Sequence, residues 1–208
     1  MRLLPLLFAL VAATAVVEPP AAAGDAAPSR PTMRQLPAAA SLEVPPSARA
    51  LVDARAEFDR RYPGLLARGR TTAGALLVAD ALIEAAVTEE DRGVKWFMLA
   101  EARRMAVASG NAAALDRAVV LASATYEFDA VDAEYRALKE IPLRVLSPQR
   151  AADLAEVAER VAARAVGDGR RDLAISAQNL AIRGWQRAGL REPAKRAAIR
   201  HDELLVPR

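Results

Sequence analysis

Between Val94 and Asn111 the chain reads VKWFMLAEARRMAVASGN, an amphipathic helix followed by its own stop. Stepping about 100° per residue puts Val94, Phe97, Met98, Ala102, Met105 and Ala108 on one broad apolar face and leaves Lys95, Arg103 and Arg104 outside it. Ser109-Gly110-Asn111 ends the helix, with Gly110 at the position that takes a left-handed conformation. Glu101 departs from the pattern by landing near the middle of the apolar face. A buried ionised carboxylate is costly unless it is paired or hydrogen-bonded. Glu101 is therefore expected to meet an Arg or exposed backbone N–H groups on a neighbouring helix, as a buried brace. The functional alternative is a ligand-binding or acid/base carboxylate. No second reactive group accompanies it, which favours the brace.

The same punctuation recurs along the chain. Ser47 after Pro45-Pro46 opens a helix that runs to about Arg61 and stops at Pro63-Gly64. Thr71 or Thr72 caps a second, with Leu76, Ala79, Leu82, Ile83, Ala86 and Val87 on one side. Thr88 to Asp91 has the form of a capping box that opens the third helix. Asn111 caps a fourth, with Leu115, Ala118, Val119, Ala122 and Tyr126 inward. A shorter fifth follows Asp129 and ends before Pro142. Ser147-Pro148 is a cap-plus-N1 signal for the sixth. Its stripe is Leu154, Val157, Ala158, Val161, Ala162 and Ala165, with Asp153, Glu156, Glu159, Arg160 and Arg164 outward. Gly167-Asp168-Gly169 turns into a seventh that is apolar on two flanks, and so packed on both, with Gly184 allowing close approach. Glu192-Pro193 opens a last helix ending near Leu205. No stretch alternates as a strand does. The expected fold is all-α: about eight short antiparallel helices, paired at roughly 34–45 residues as a TPR-like helical repeat or α-solenoid.

Before the first cap the composition changes. Met1 to Ala23 has a basic start at Arg2, an apolar run from Leu3 to Val17, the break Pro19-Pro20 and the small-residue site Ala21-Ala22-Ala23. This is the pattern of a secretory signal peptide, too short in its apolar run for a membrane span. An uncleaved anchor is the alternative. Residues 24–46, with Pro28, Pro31, Pro37, Pro45 and Pro46 and no aromatics, read as a disordered linker. Residues 47–208 form the helical domain. The expected location is periplasmic or extracellular, with membrane contact only during export or through an uncleaved leader.

Several chemistries are excluded. The 208 residues contain no cysteine, so disulfides, thiolate catalysis and Cys-based metal sites are absent. His201 is the sole histidine, which excludes a multi-histidine metal site within one chain. Net charge is +3, and only Lys95, Lys139 and Lys195 are lysines. Both signs are interspersed on helix faces, without the basic patch and stacking aromatics of a nucleic-acid binder. No phosphate loop, nucleophile elbow or His-Glu-x-x-His is present.

From Trp96 to Asp129 the sequence reads WFMLAEARRMAVASGNAAALDRAVVLASATYEFD. It resembles a helical module that recurs in exported bacterial proteins of unknown function: leucines, Glu-Ala-Arg, Ala-Gly-Asp, then an Ala-rich helix ending in Phe-x-Val-Asp. Leu99, Glu101-Ala102-Arg103, Ser109-Gly110-Asn111 and Phe128-Asp129 carry the match. Ser109 and Asn111 replace Ala and Asp, and Tyr126-Glu127-Phe128-Asp129 replaces the usual ending. The likeness spans about residues 54–141. It implies a TPR-like fold without an established activity, and a packing role for Glu101.

The remaining candidates have structural explanations. His201 falls on the inner face of the last helix, as a hydrogen-bonded packing residue does. Glu127, Asp129, Asp132 and Glu134 could be calcium ligands, but they lack the spacing of a calcium loop, and Asp129 is explained as an N-cap. Glu89-Glu90-Asp91 suits a helix N-terminus. Trp96 and Trp185 could line a groove. Trp96 lies off the inner face of its helix, so it either packs against another helix or is exposed, and if exposed it marks a partner surface. With no catalytic group, cofactor or metal site in view, the leading expectation is a non-enzymatic, exported helical-repeat protein that binds a protein or peptide. The alternative is a small-ligand or cell-wall polyanion binder, or an enzyme, using Glu101 in an internal cleft. A third possibility is a structural spacer.

Overall fold

Local capping chemistry sets the helix limits. In the computed structural model, which describes residues 42–206, six side chains accept a backbone N–H from the first turn of their helix. Ser47 caps α1 (Ala48–Arg61), Thr71 caps α2 (Thr72–Thr88) and Asp91 caps α3 (Arg92–Ser109). Asn111 caps α4 (Ala112–Ser123), Asp129 caps α5 (Ala130–Glu140) and Ser147 caps α6 (Pro148–Gly167). Helices α7 (Arg171–Ala188) and α8 (Arg191–Leu205) begin without a side-chain cap. Short 3₁₀ turns cover Leu66–Arg70 and Leu143–Val145. The described residues are thus all-α, as expected, and none of their helices is long and apolar enough to cross a membrane.

Some boundaries differ from expectation. Thr88 closes α2 instead of opening α3. Asp91 is the cap, its Oδ1 taking the N–H of Val94 at 2.9 Å, because the shorter carboxylate next to the first turn reaches it. Tyr126 lies beyond the end of α4, yet it is buried from the connecting segment. The expected leader, residues 1–23, and linker residues 24–41 lie outside the described residues. The last residues assigned to the linker are tied down. Glu43 N–H donates to the Thr125 carbonyl (3.0 Å), Glu127 N–H donates to the Glu43 carbonyl (2.7 Å), and Arg92 pairs with the Glu43 carboxylate at 2.5 Å. The α4–α5 connection offers unused backbone groups there, and these recruit an extended segment.

From α2 onward each helix packs on the next, and α1 to α5 each also pack on the next but one. The contacts run α2–α3, α3–α4, α4–α5, α5–α6, α6–α7 and α7–α8, and also α1–α3, α2–α4, α3–α5, α4–α6 and α5–α7. Alanine lets these helices come close. Helix α6 buries Ala151, Ala152, Ala155, Ala158, Ala162 and Ala165. Opposite it, a Cβ added to Gly184 of α7 would stand 2.8 Å from the Ala155 Cβ and 2.9 Å from the Ala151 carbonyl oxygen. Backbone cannot yield as a side-chain tip can. Gly184→Ala is therefore expected to destabilise by roughly 1–3 kcal/mol through overpacking, despite alanine's better helix propensity. Denaturant unfolding of the variant checks this, and unchanged or increased stability would contradict the close approach.

A line of ion pairs joins the even-numbered helices. Asp80 of α2 pairs with Arg117 of α4, 37 residues on. Asp116 of α4 accepts from Arg160 of α6 at 2.8 Å, 44 residues on. Glu159 of α6 pairs with Arg200 of α8, 41 residues on. Two adjacent acid–arginine dipeptides, Asp116-Arg117 and Glu159-Arg160, each serve both neighbouring helices. The side chains are partly exposed, so each rung contributes only about 0–1 kcal/mol. Their effect is on register rather than on stability.

Candidate functional site

Of the two residues singled out by sequence, Glu101 meets a different partner from the one expected, and Trp96 takes the packed one of its two expected settings. Glu101 is half-buried, and its carboxylate accepts from Nε (2.9 Å) and from a terminal nitrogen (2.7 Å) of Arg104, three residues along the same helix. The partner expected on a neighbouring helix is replaced by this local one. The buried face of α3 is rotated from the expected one, toward Leu99, Ala106 and Ser109, while Ala108 is exposed. Helices α1, α2 and α4 all press on that face, which moves Glu101 to its edge. The described residues form clefts of about 790, 490 and 460 Å³, none of them lined by Glu101.

Trp96 is half-buried rather than free. Its ring meets Tyr126 edge-on at a centroid distance of 4.8 Å and Phe128 at 5.4 Å. Tyr126 donates its hydroxyl hydrogen to the Arg92 carbonyl at 2.5 Å, and burial pushes its phenol up to about 12. His201 is mostly buried, with Nδ1 3.3 Å from the neighbouring Asp202 carboxylate. Asp129 caps α5 and also accepts from Arg170 at 2.6 Å. The Asp132 N–H above all holds its carboxyl below the usual range.

The cross-helix carboxylate is Glu134 of α5, fully buried. It pairs with Arg164 of α6, whose guanidinium also lies 3.8 Å from Asp116 of α4. Arg164, expected to point outward, turns its head inward to this carboxylate. Burial pushes the Glu134 carboxyl up to about 7. Arg164 opposes that shift and Asp116 adds to it. Burial also holds Arg103 of α3 below its usual range, against the pull of Glu134 and Glu140. One acid thus gathers charged groups of α3, α4 and α6. The signal was present in the sequence: Val131, Glu134 and Leu138 share one helix face, so Glu134 sits within its own apolar stripe. A strongly shifted acid is a candidate for chemistry. Glu134, however, has no exposed surface at which to meet a substrate, which makes it the internal brace that Glu101 is not.

The open concave surface lies elsewhere. Helices two apart pack closely as far as α5 and α7, whereas α6 and α8 line a cleft of about 790 Å³. Ala162, Ala163 and Val166 of α6 form one wall, with Leu204 and Val206 at the end of α8 opposite. Gln178 of α7 is buried at the base and donates its amide to the Ala197 carbonyl at 3.0 Å. The Glu159–Arg200 rung lies in this cleft. Glu159 also accepts from the indole N–H of Trp185 at 2.9 Å, so the buried Trp185 supports the wall from behind. Arg171 donates to the Leu204 carbonyl at 2.6 Å and so holds the end of α8. This mixture of small apolar side chains and fixed polar groups can hold an apolar ligand group and orient it. Sequence periodicity could not reveal the cleft, because it depends on the spacing of α6 from α8.

No family model matches the chain, and comparison with curated proteins and with solved structures likewise found no match.

Proposed function

We propose that this chain is an exported, non-enzymatic helical-repeat protein, TPR-like in build, that binds a protein or peptide. The cleft between α6 and α8 is the observation that carries the binding role. Two features support the repeat: the scheme in which helices pack on neighbours one and two along, and the rungs spaced 37, 44 and 41 residues apart. Export rests on the leader-like composition of residues 1–23. The non-enzymatic reading rests on the enclosure of Glu134, the one strongly shifted acid among the described residues.

Site-specific crosslinking tests the binding role. A photoreactive side chain at Ala163, in the cleft, is expected to give a discrete protein adduct in cells that produce the full chain. The same group at Ala113, exposed on α4 and away from the cleft, is expected to give none. Identical adducts at both positions, or none at either, would refute binding through this surface.

A further inference from the structure

The charges around the cleft identify the chemistry of its occupant, given the proposal that the cleft binds a peptide. Every arginine lining it is already engaged. Arg160 donates to Asp116, Arg171 to the Leu204 carbonyl and Arg200 to Glu159. Glu159 is engaged twice, by Arg200 and by the indole of Trp185. Three charged groups of the lining lack an oppositely charged partner among the described residues: Arg171, which bonds only a carbonyl, Glu156 on the α6 wall and Glu203 on the α8 wall. Both carboxylates are exposed. Two unpaired carboxylates, one on each wall of an apolar trough, thus outnumber the one unpaired guanidinium.

We infer that the occupant is an amphipathic peptide segment whose apolar ridge is flanked by lysine or arginine. The apolar side chains fill the space above Ala162 and Ala163, where small residues leave depth, and burial there drives association. Basic side chains on either flank meet Glu156 and Glu203. Such exposed pairs select the partner and speed its approach more than they tighten it, and salt screens them. The chain as a whole carries a net charge of +3, so its overall charge opposes a basic peptide and any preference for one comes from this local pair of acids. An amphiphile with an anionic head fits less well, because two unpaired carboxylates face it and Arg171 alone lacks an anionic partner.

Fluorescence anisotropy with the full chain provides the test. The probes are a dye-labelled leucine–lysine peptide with a single leucine face and its counterpart with glutamate at each lysine position. The lysine peptide is expected to bind about tenfold more tightly at low salt, with the difference largely lost near roughly 0.5 M salt. Glu156→Lys combined with Glu203→Lys is expected to reverse the preference, and Ala163→Trp to abolish binding. These positions are exposed, and unchanged thermal melts verify that the variants fold. Equal binding of both peptides, still blocked by Ala163→Trp, would overturn the inferred charge selection and leave the binding cleft standing. Failure of either peptide to bind would overturn both. Dodecanoate displacing the lysine peptide and binding more tightly than it would assign the cleft to an anionic amphiphile, and so refute the inference.

Discussion

Replacing Arg164 with methionine is expected to cost on the order of 3–5 kcal/mol at pH 8 and much less at pH 5. The substitution keeps most of the volume but leaves the fully buried Glu134 without its partner, and breaking a buried pair leaves an uncompensated charge. The pH dependence follows from the shift of Glu134. Its carboxyl titrates near 7 in the folded protein, above its ordinary 4.5. Between those two values the folded state binds more protons than the unfolded state, so the stability linked to this group is present below about pH 4.5 and is lost as pH rises through 7. That loss is of the order of 3 kcal/mol in the native protein, and it grows in the variant, which loses the opposing Arg164 while burial and Asp116 remain. Urea unfolding across pH 5 to 8 gives the comparison. Glu134→Gln, which mimics the protonated acid, should flatten this part of the profile. An Arg164→Met cost that is the same at both ends, or a Glu134→Gln profile parallel to the native one, would show that Glu134 titrates in the ordinary range.

Trp96→Ala is expected to destabilise by about 3 kcal/mol, through loss of the edge-on contacts with Tyr126 and Phe128 and the cavity left between them. For a domain of this size that lowers Tm by roughly 6–12 °C. Trp96→Phe, which keeps an aromatic ring at the site, should recover part of the loss. A Trp96→Ala protein that melts with the native one but gives no adduct from the Ala163 crosslinker would instead return Trp96 to the partner surface.

These two residues show which part of the molecule could be read from the sequence. Helix limits depend on chemistry within a few residues, and Ser47, Thr71, Asn111, Asp129, Ser147 and Gly110 mark them in the chain as they do in space. Which side of a helix is deepest depends on how many neighbours press on it. Helix α3 is contacted by four others, so a face drawn through Val94 and Met105 missed Leu99 and Ala106 and placed Glu101 too centrally. Glu134 escaped for the opposite reason. As one of four acids near a helix start it resembled capping chemistry, although its spacing from Val131 and Leu138 placed it within the apolar stripe. The α6–α8 cleft arises where a side-chain pair takes the place of close packing, and that spacing leaves no pattern in either helix.

The packing scheme also bears on how the chain comes apart. Helices that touch only neighbours one and two along can detach from an end without dismantling the rest. Helix α8 has a single fully buried residue, Ala197, whereas α6 buries nine. Helix α8 is thus expected to open before α6, and its opening would bare Trp185 and Gln178 to solvent. A peptide seated between α6 and α8 links the less protected of the two to the better protected. Binding would then register as slower amide exchange along α8, with little accompanying change of shape.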